Sequence, residues 1–223
     1  MDKKNNSTSV VETIIGYIFQ DKELLLRALT HASLEGPNYE RLEFLGDRVL
    51  GVIVAEMLFK KHPEEKEGAL AKRFSALVRG QTLAAIGKEI DIAQYILFSE
   101  TDTAFPQGTE NDNIIADVME SLLGAMYLDG GLTPCKAMIE KYWDERFETM
   151  TKPPQDPKTE LQEWAQGLGK PTPSYEIIAR EGLDHAPIFT IEVKVEGMQS
   201  QTAKASNRRQ AEKDAARKVL KSL

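Results

Sequence analysis

A chain of 223 residues with 41% hydrophobic composition has room for one large or two ordinary domains, because domains usually run to roughly 100 to 200 residues. Its most apolar run, residues 49–59, is broken by Glu56 and falls short of the roughly 18 apolar residues that a membrane-spanning helix needs, so no membrane partner is expected. The opening MDKKNNSTS reads as no export signal, and the lone Cys135 has no internal disulfide partner, which suits a reducing cytoplasm. The net charge of −7 speaks mildly against nucleic acid, but residues 1–150 hold 16 Lys+Arg against 25 Asp+Glu while residues 151–223 hold 12 against 10. A basic end on an acidic chain points to a polyanionic partner.

In chain order, residues 21–32 (DKELLLRALTHA), the stretch after Tyr39, residues 68–90 (GALAKRFSALVRGQTLAAIGKEI), residues 113–128 and residues 135–150 each carry apolar positions at helical period. Between them lie GPN, KKHPEEKEG, FPQGTEND and DGGLTP, rich in residues that stop helices. The expectation is an all-α domain over residues 8–150. Prolines at 153, 154 and 157 favour an extended connector, placed at 151–156. From 157 to 223 the pattern changes. KTELQEWAQGLG is helical, SYEIIARE and PIFTIEVKVEG read as strands, SQTAKAS adds a third, and NRRQAEKDAARKVLKSL is helical again, a compact α+β unit of order α-β-β-β-α.

Acids inside the greasiest segments carry the chemistry. In YERLEFLGDRVLG, residues 39–51, Glu40, Glu43 and Asp47 are spaced i, i+3, i+7 and fall within roughly 60° of one another around a helix. Asp117 and Glu120 in ADVMESLLGA sit one turn apart in a second apolar helix. Buried unpaired, such groups take up protons instead of ionising. Carboxylates from two helices, with no His or Cys beside them, suit a hard cation, Mg²⁺ or Mn²⁺, and a site of that kind supports phosphodiester hydrolysis. The competing reading pairs the acids with Arg41, Arg48 or Lys72 as ordinary salt bridges.

YERLEFLGDRVLG resembles the signature of the ribonuclease III family. LTHAS upstream, and EGALAKRFSALVRGQTLA and IIADVMESLLGAMYLDGG downstream, resemble that family in the same order. The likeness runs from Val10 to Leu223. It implies a homodimeric endoribonuclease that cleaves double-stranded RNA with Mg²⁺ and leaves staggered ends with 5′-phosphate and 3′-hydroxyl. It further implies work on ribosomal, messenger and transfer RNA in the cytoplasm. By the resemblance Glu43, Asp47, Asp117 and Glu120 hold the metal, with Asp47 and Glu120 nearest the chemistry, and Glu40 and Glu67 are accessory acids. Phe44 is either a core residue or, as in the family, part of the dimer interface. The other histidines, His31 and His62, read as structural. One departure is the acidic stretch PQGTENDNIIAD, where many members carry a Gly-rich basic loop; it puts the substrate contacts of residues 107–113 in question.

Residues 204–221 hold seven basic residues against two acidic ones. Arg208 and Arg209 open a helix with Lys213 one turn on, which a solvated amphipathic helix would also show. In the order α-β-β-β-α this segment resembles the double-stranded RNA-binding domain, in which the start of the last helix meets phosphates across the major groove. The resemblance then implies RNA contacts for Thr159, Gln162 and Glu163 on the first helix and for His185 on a loop. Two rival functions remain open at this point. One is a duplex-RNA-binding protein without chemistry, which the presence of all four acids opposes. The other is a small-molecule phosphohydrolase, which leaves the basic end unexplained.

Overall fold

The computed structural model describes residues 2–99, 111–183 and 186–223, and the chain separates into two compact units, Met1–Pro154 and Gln155–Leu223. The first is helical among its described residues: α1 (Asp2–Ile15), α2 (Lys22–Ala28), α3 (Glu40–Lys61), α4 (Glu67–Leu77), α5 (Gly80–Glu89), α6 (Asp112–Gly130) and α7 (Leu132–Thr149), with a 3-10 turn at Ile92–Tyr95. Extended pairing among the described residues there is limited to one isolated parallel bridge, Thr30 with Leu97. No helix among the described residues is long and apolar enough to cross a membrane.

Helix α6 forms the axis of this unit. Ile114, Ile115, Val118, Met119, Leu122 and Met126 are all buried, and a helix that is apolar on every side has to be surrounded by others. Asp117 and Glu120 are the only ionisable residues between Ile114 and Met126. Helix α3 crosses α6 at two glycines. A Cβ on Gly46 would lie 1.7 Å from the carbonyl oxygen of Glu120, and one on Gly124 would lie 2.2 Å from that of Leu42. Any side chain at either position would drive the helices apart, so the glycines set the spacing of the acid-bearing faces.

The periodic stretch 68–90 is two helices, not one. Arg79 adopts extended backbone, with φ −70° and ψ 148°, and the turn it makes exposes carbonyls at the end of α4. Two of them find donors from elsewhere: the buried Trp143 indole N–H donates to Leu77 O at 3.0 Å, and the Thr82 hydroxyl donates to Ala76 O at 2.7 Å. Helix ends need such partners. The buried Arg73 forms a bidentate pair with Glu65 and also donates to the carbonyl of Met150, which ties α4 to the end of α7. The polar opening is helical as well. Val11 and Ile15 bury one side of α1, and the Glu12 carboxylate accepts the Phe19 N–H at 2.7 Å and pairs with Lys22.

The second unit has the elements α8 (Pro157–Gly167), β1 (Ser174–Leu183), β2 (Ala186–Lys194), β3 (Gln201–Ala205) and α9 (Arg208–Leu220). The strands form one antiparallel sheet in the order β1-β2-β3. Val193 and Ala203 on the sheet pack with Leu161 and Ala165 of α8 and Ala215, Ala216 and Val219 of α9. Alanines on α9 let that helix lie close to the sheet. Asp156 caps α8 by accepting the Lys158 N–H at 3.0 Å, and Asn207 caps α9 by accepting the Gln210 N–H at 2.8 Å, as side-chain oxygens at helix starts commonly do.

Candidate functional site

Carboxylate oxygens of Glu43, Asp117 and Glu120 all lie within 4.8 Å of one another, and each residue is half-buried. Helix spacing explains the grouping. Glu43 looks across the close α3–α6 crossing, and Asp117 and Glu120 lie one turn apart on the facing side of α6. The electrostatic consequence is uniform in sign. Burial and then the charges of Glu43 and Asp117 push the Glu120 carboxyl up to about 7. Glu43 is raised by burial and by Asp117 and Glu40. Asp117 is raised by burial despite a hydrogen bond from Tyr39 and the influence of His31.

Asp47 does not join this trio. Its carboxylate pairs with the neighbouring Arg48, so for this residue the salt-bridge reading describes the structure. Arg48 in turn draws the Glu120 pKa down. Glu40 is exposed and near enough to raise both Glu43 and Tyr39, so it stands at the rim. Glu67 lies elsewhere, in the first turn of α4 on a groove of about 560 Å³ that Phe59, Leu70 and Phe74 also line.

Tyr39 and His31 belong to the surroundings of the site, although sequence reasoning gave them no part in it. The buried Tyr39 hydroxyl donates to Asp117 and is pushed above its ordinary value by burial and by the charges of Asp117, Glu43 and Glu40. His31 packs between Tyr39 and Phe98, with ring centroids 5.6 and 4.9 Å away. The available signal was position: Tyr39 opens the acid-bearing segment and His31 lies in LTHAS. Cys135 is buried, its thiol pushed up to about 12 by burial, in keeping with a packing role.

Three oxygen donors, no sulfur and no imidazole nitrogen within the trio match the preference of a hard divalent cation. The repulsion among the acids, which Arg48, Tyr39 and His31 offset only in part, is what such a cation would cancel.

On the second unit Thr159, Gln162 and Glu163 are all exposed on one side of α8, opposite the buried Leu161 and Ala165. Arg208 and Arg209 are exposed at the start of α9, with Arg208 Nε bound to Glu212 at 2.8 Å. The Lys213 ammonium pairs with Asp156 at 2.8 Å, and its side chain is 25% exposed. His185 lies outside the described residues, as do residues 107–110 of the acidic stretch, while Asn111 caps α6 by accepting the Asn113 N–H at 3.0 Å.

Comparison with known proteins agrees with this layout. A family model described as Ribonuclease-III-like matches residues 21–145, and one for the double-stranded RNA binding motif matches residues 157–223. Ribonuclease 3 of Bartonella tribocorum is 46% identical over 93% of this chain and 89% of its own length. The chain belongs to the ribonuclease III family. Ribonuclease 3 of Caulobacter vibrioides is 42% identical over 99% of this chain and 97% of its own. A solved nuclease domain of ribonuclease III from Campylobacter jejuni, described with structural flexibility in a region involved in dimer formation, is 38% identical with a TM-score of 0.56. It covers 60% of this chain and 97% of its own. Membership of the ribonuclease III family makes the chain an endoribonuclease, with a helical nuclease unit followed by a unit of the double-stranded RNA-binding kind.

Proposed function

We propose that the chain hydrolyses phosphodiester bonds in double-stranded RNA at a divalent-cation site built on Glu43, Asp117 and Glu120. The single observation that carries this reading is the convergence of those three half-buried carboxylates, none of them paired to a lysine or arginine among the described residues. The chain's part is to hold the cation. Tyr39 fixes one Asp117 oxygen by hydrogen bonding, and the Gly46–Gly124 crossing fixes the distance between α3 and α6. Asp47 is proposed as a fourth ligand, which must exchange Arg48 for the metal. The cation, Mg²⁺ or Mn²⁺, supplies a water of lowered pKa and neutralises charge on the scissile phosphate. The products carry 5′-phosphate and 3′-hydroxyl ends, and the substrates are precursors of ribosomal RNA and some messenger and transfer RNAs in the cytoplasm.

The acting form is a homodimer. Phe44, Val52 and Phe59 are 66%, 61% and 72% exposed and fall within about 80° of one another on α3. Large apolar side chains exposed on one side of a helix are what a protein interface covers. Exposure removes Phe44 from the core. The exposed Phe44 and the apolar groove lined by Phe59, Leu70 and Phe74 are surfaces such a dimer would cover, and in a two-fold contact each copy offers the same surface to the other. Glu67 lies on that groove and would be at the contact with it.

Incubation of the full chain with a long RNA duplex and the matching DNA duplex, with and without Mg²⁺, tests the reading. Cleavage of RNA alone, and only with the metal, is expected. Equal cutting of DNA, or cutting in the presence of chelator, would overturn it.

A further inference from the structure

The surface offered to duplex RNA contains a buried acid. Glu212 is 7% exposed in α9, and its two oxygens serve different helices: Oε1 accepts from Arg208 Nε at 2.8 Å and Oε2 accepts from Lys158 Nζ at 2.6 Å. Lys158 lies in the first turn of α8 and Arg208 opens α9, so one carboxylate joins the starts of both. The Lys158 ammonium also sits 4.6 Å from the centroid of the Tyr175 ring. A second link runs beside it, from Asp156 to Lys213 at 2.8 Å. Burial pushes the Glu212 carboxyl up, but the hydrogen bonds from Lys158 and Arg208 outweigh it and hold the group below its ordinary value.

A fixed negative charge next to a phosphate-binding surface opposes a polyanion through space. Its contacts act in the other direction. Arg208 keeps 61% and Lys158 36% of the side chain exposed, so both remain part of the surface while Nε of the one and the ammonium of the other are held. Long side chains like these lose rotamer freedom when they are immobilised on binding. We propose that Glu212 is a positioning residue for duplex-RNA binding, which sets Arg208 and Lys158 in one orientation before the RNA arrives. The inference rests on the assignment of Arg208 to the RNA-binding face, and it adds Lys158 to that face.

The two effects predict opposite signs for one substitution. Anisotropy titration of a labelled RNA duplex with the full chain, in chelator so that nothing is cut, decides between them. Loss of the negative charge alone predicts tighter binding by Glu212→Gln. Positioning predicts weaker binding by about tenfold, the effect of leaving two long side chains to be ordered on association. In an Arg208→Ala background the loss should shrink, because Glu212 acts through that residue, whereas mere destabilisation of the fold would add independently. Glu212→Asp keeps the charge but is one methylene too short to reach both cations. It should also weaken binding, and it serves in place of the glutamine variant should that one melt below the assay temperature. Unchanged or tighter binding by the Glu212 variants, or equal losses with and without Arg208, overturns the proposal. The double variant Arg208→Ala with Arg209→Ala, run alongside, separates the two levels. If it binds like the parent chain, the assignment of the RNA face falls and the proposal with it. If it binds weakly while the Glu212 variants do not, the proposal alone falls.

Discussion

Between α3 and α6 three carboxylates face one another with Arg48 the only cation among the described residues that offsets Glu120, whereas between α8 and α9 the acids Asp156 and Glu212 each hold a lysine or arginine within hydrogen-bond distance. The pKa directions follow: carboxyls in the first group are raised and those in the second are lowered. In both places burial pushes a carboxylate up, so the difference lies in the partners. Where the fold supplies them, charge is architecture. Where it withholds them, the site waits for a ligand that brings opposite charge.

The contrast breaks most visibly in Glu120→Gln, which removes a charge and keeps the shape. Cleavage should fall on the order of a thousandfold, since a metal's charge stabilisation of the transition state is worth several kcal/mol, while gel-shift affinity for the same duplex stays near the parent value. Retained cleavage at ordinary Mg²⁺ would return the trio to structural acids. Phe44→Ala should weaken the dimer by about 2 to 4 kcal/mol, as loss of a central aromatic anchor does. Sedimentation at dilute concentration reads this directly, and an equally tight dimer would contradict the interface.

In the second unit, Arg208→Ala with Arg209→Ala should flatten the plot of log affinity against log salt by roughly 1.8 if each arginine meets one phosphate. Cleavage at saturating RNA is largely kept. An equally steep plot would make the helix start a solvated face. The smallest effect separates the two acid groups by pH. Glu120 has a folded value of about 7 against an ordinary 4.5, so its contribution to stability is full below the ordinary value and is lost as pH rises through the folded one. Metal-free protein should therefore melt lower at pH 8 than at pH 6, and Mg²⁺ should remove the difference. For Glu212, whose value is lowered, the stabilisation is present above the ordinary value and is lost only as pH falls through the acid range, so it leaves that window unchanged.

How much of this was legible depended on distance along the chain. Glu43, Asp117 and Glu120 were readable because helical spacing assigns faces, and apolar neighbours said those faces were inside. Asp47 satisfied the same spacing but pairs with Arg48, a choice that spacing does not encode. The break between α4 and α5 was hidden, since residues 68–90 keep the helical period across Val78 and Arg79, and the group that caps the break, Trp143, arrives from far along the chain. Lys213 shows the same limit: local pattern placed it on the basic face, and nothing in that pattern announced its pairing with Asp156. The Gly46–Gly124 crossing was equally out of reach, because a glycine inside a helix announces neither its partner nor how closely that partner approaches.

Mn²⁺ binding to the full chain, followed by the electron paramagnetic resonance of the free ion, tests the central claim most directly. The account predicts that Glu120→Gln loses a class of sites that the parent chain fills, with the fold unchanged by circular dichroism. Superimposable isotherms for the two proteins would contradict it, for Glu43, Asp117 and Glu120 would then gather no cation.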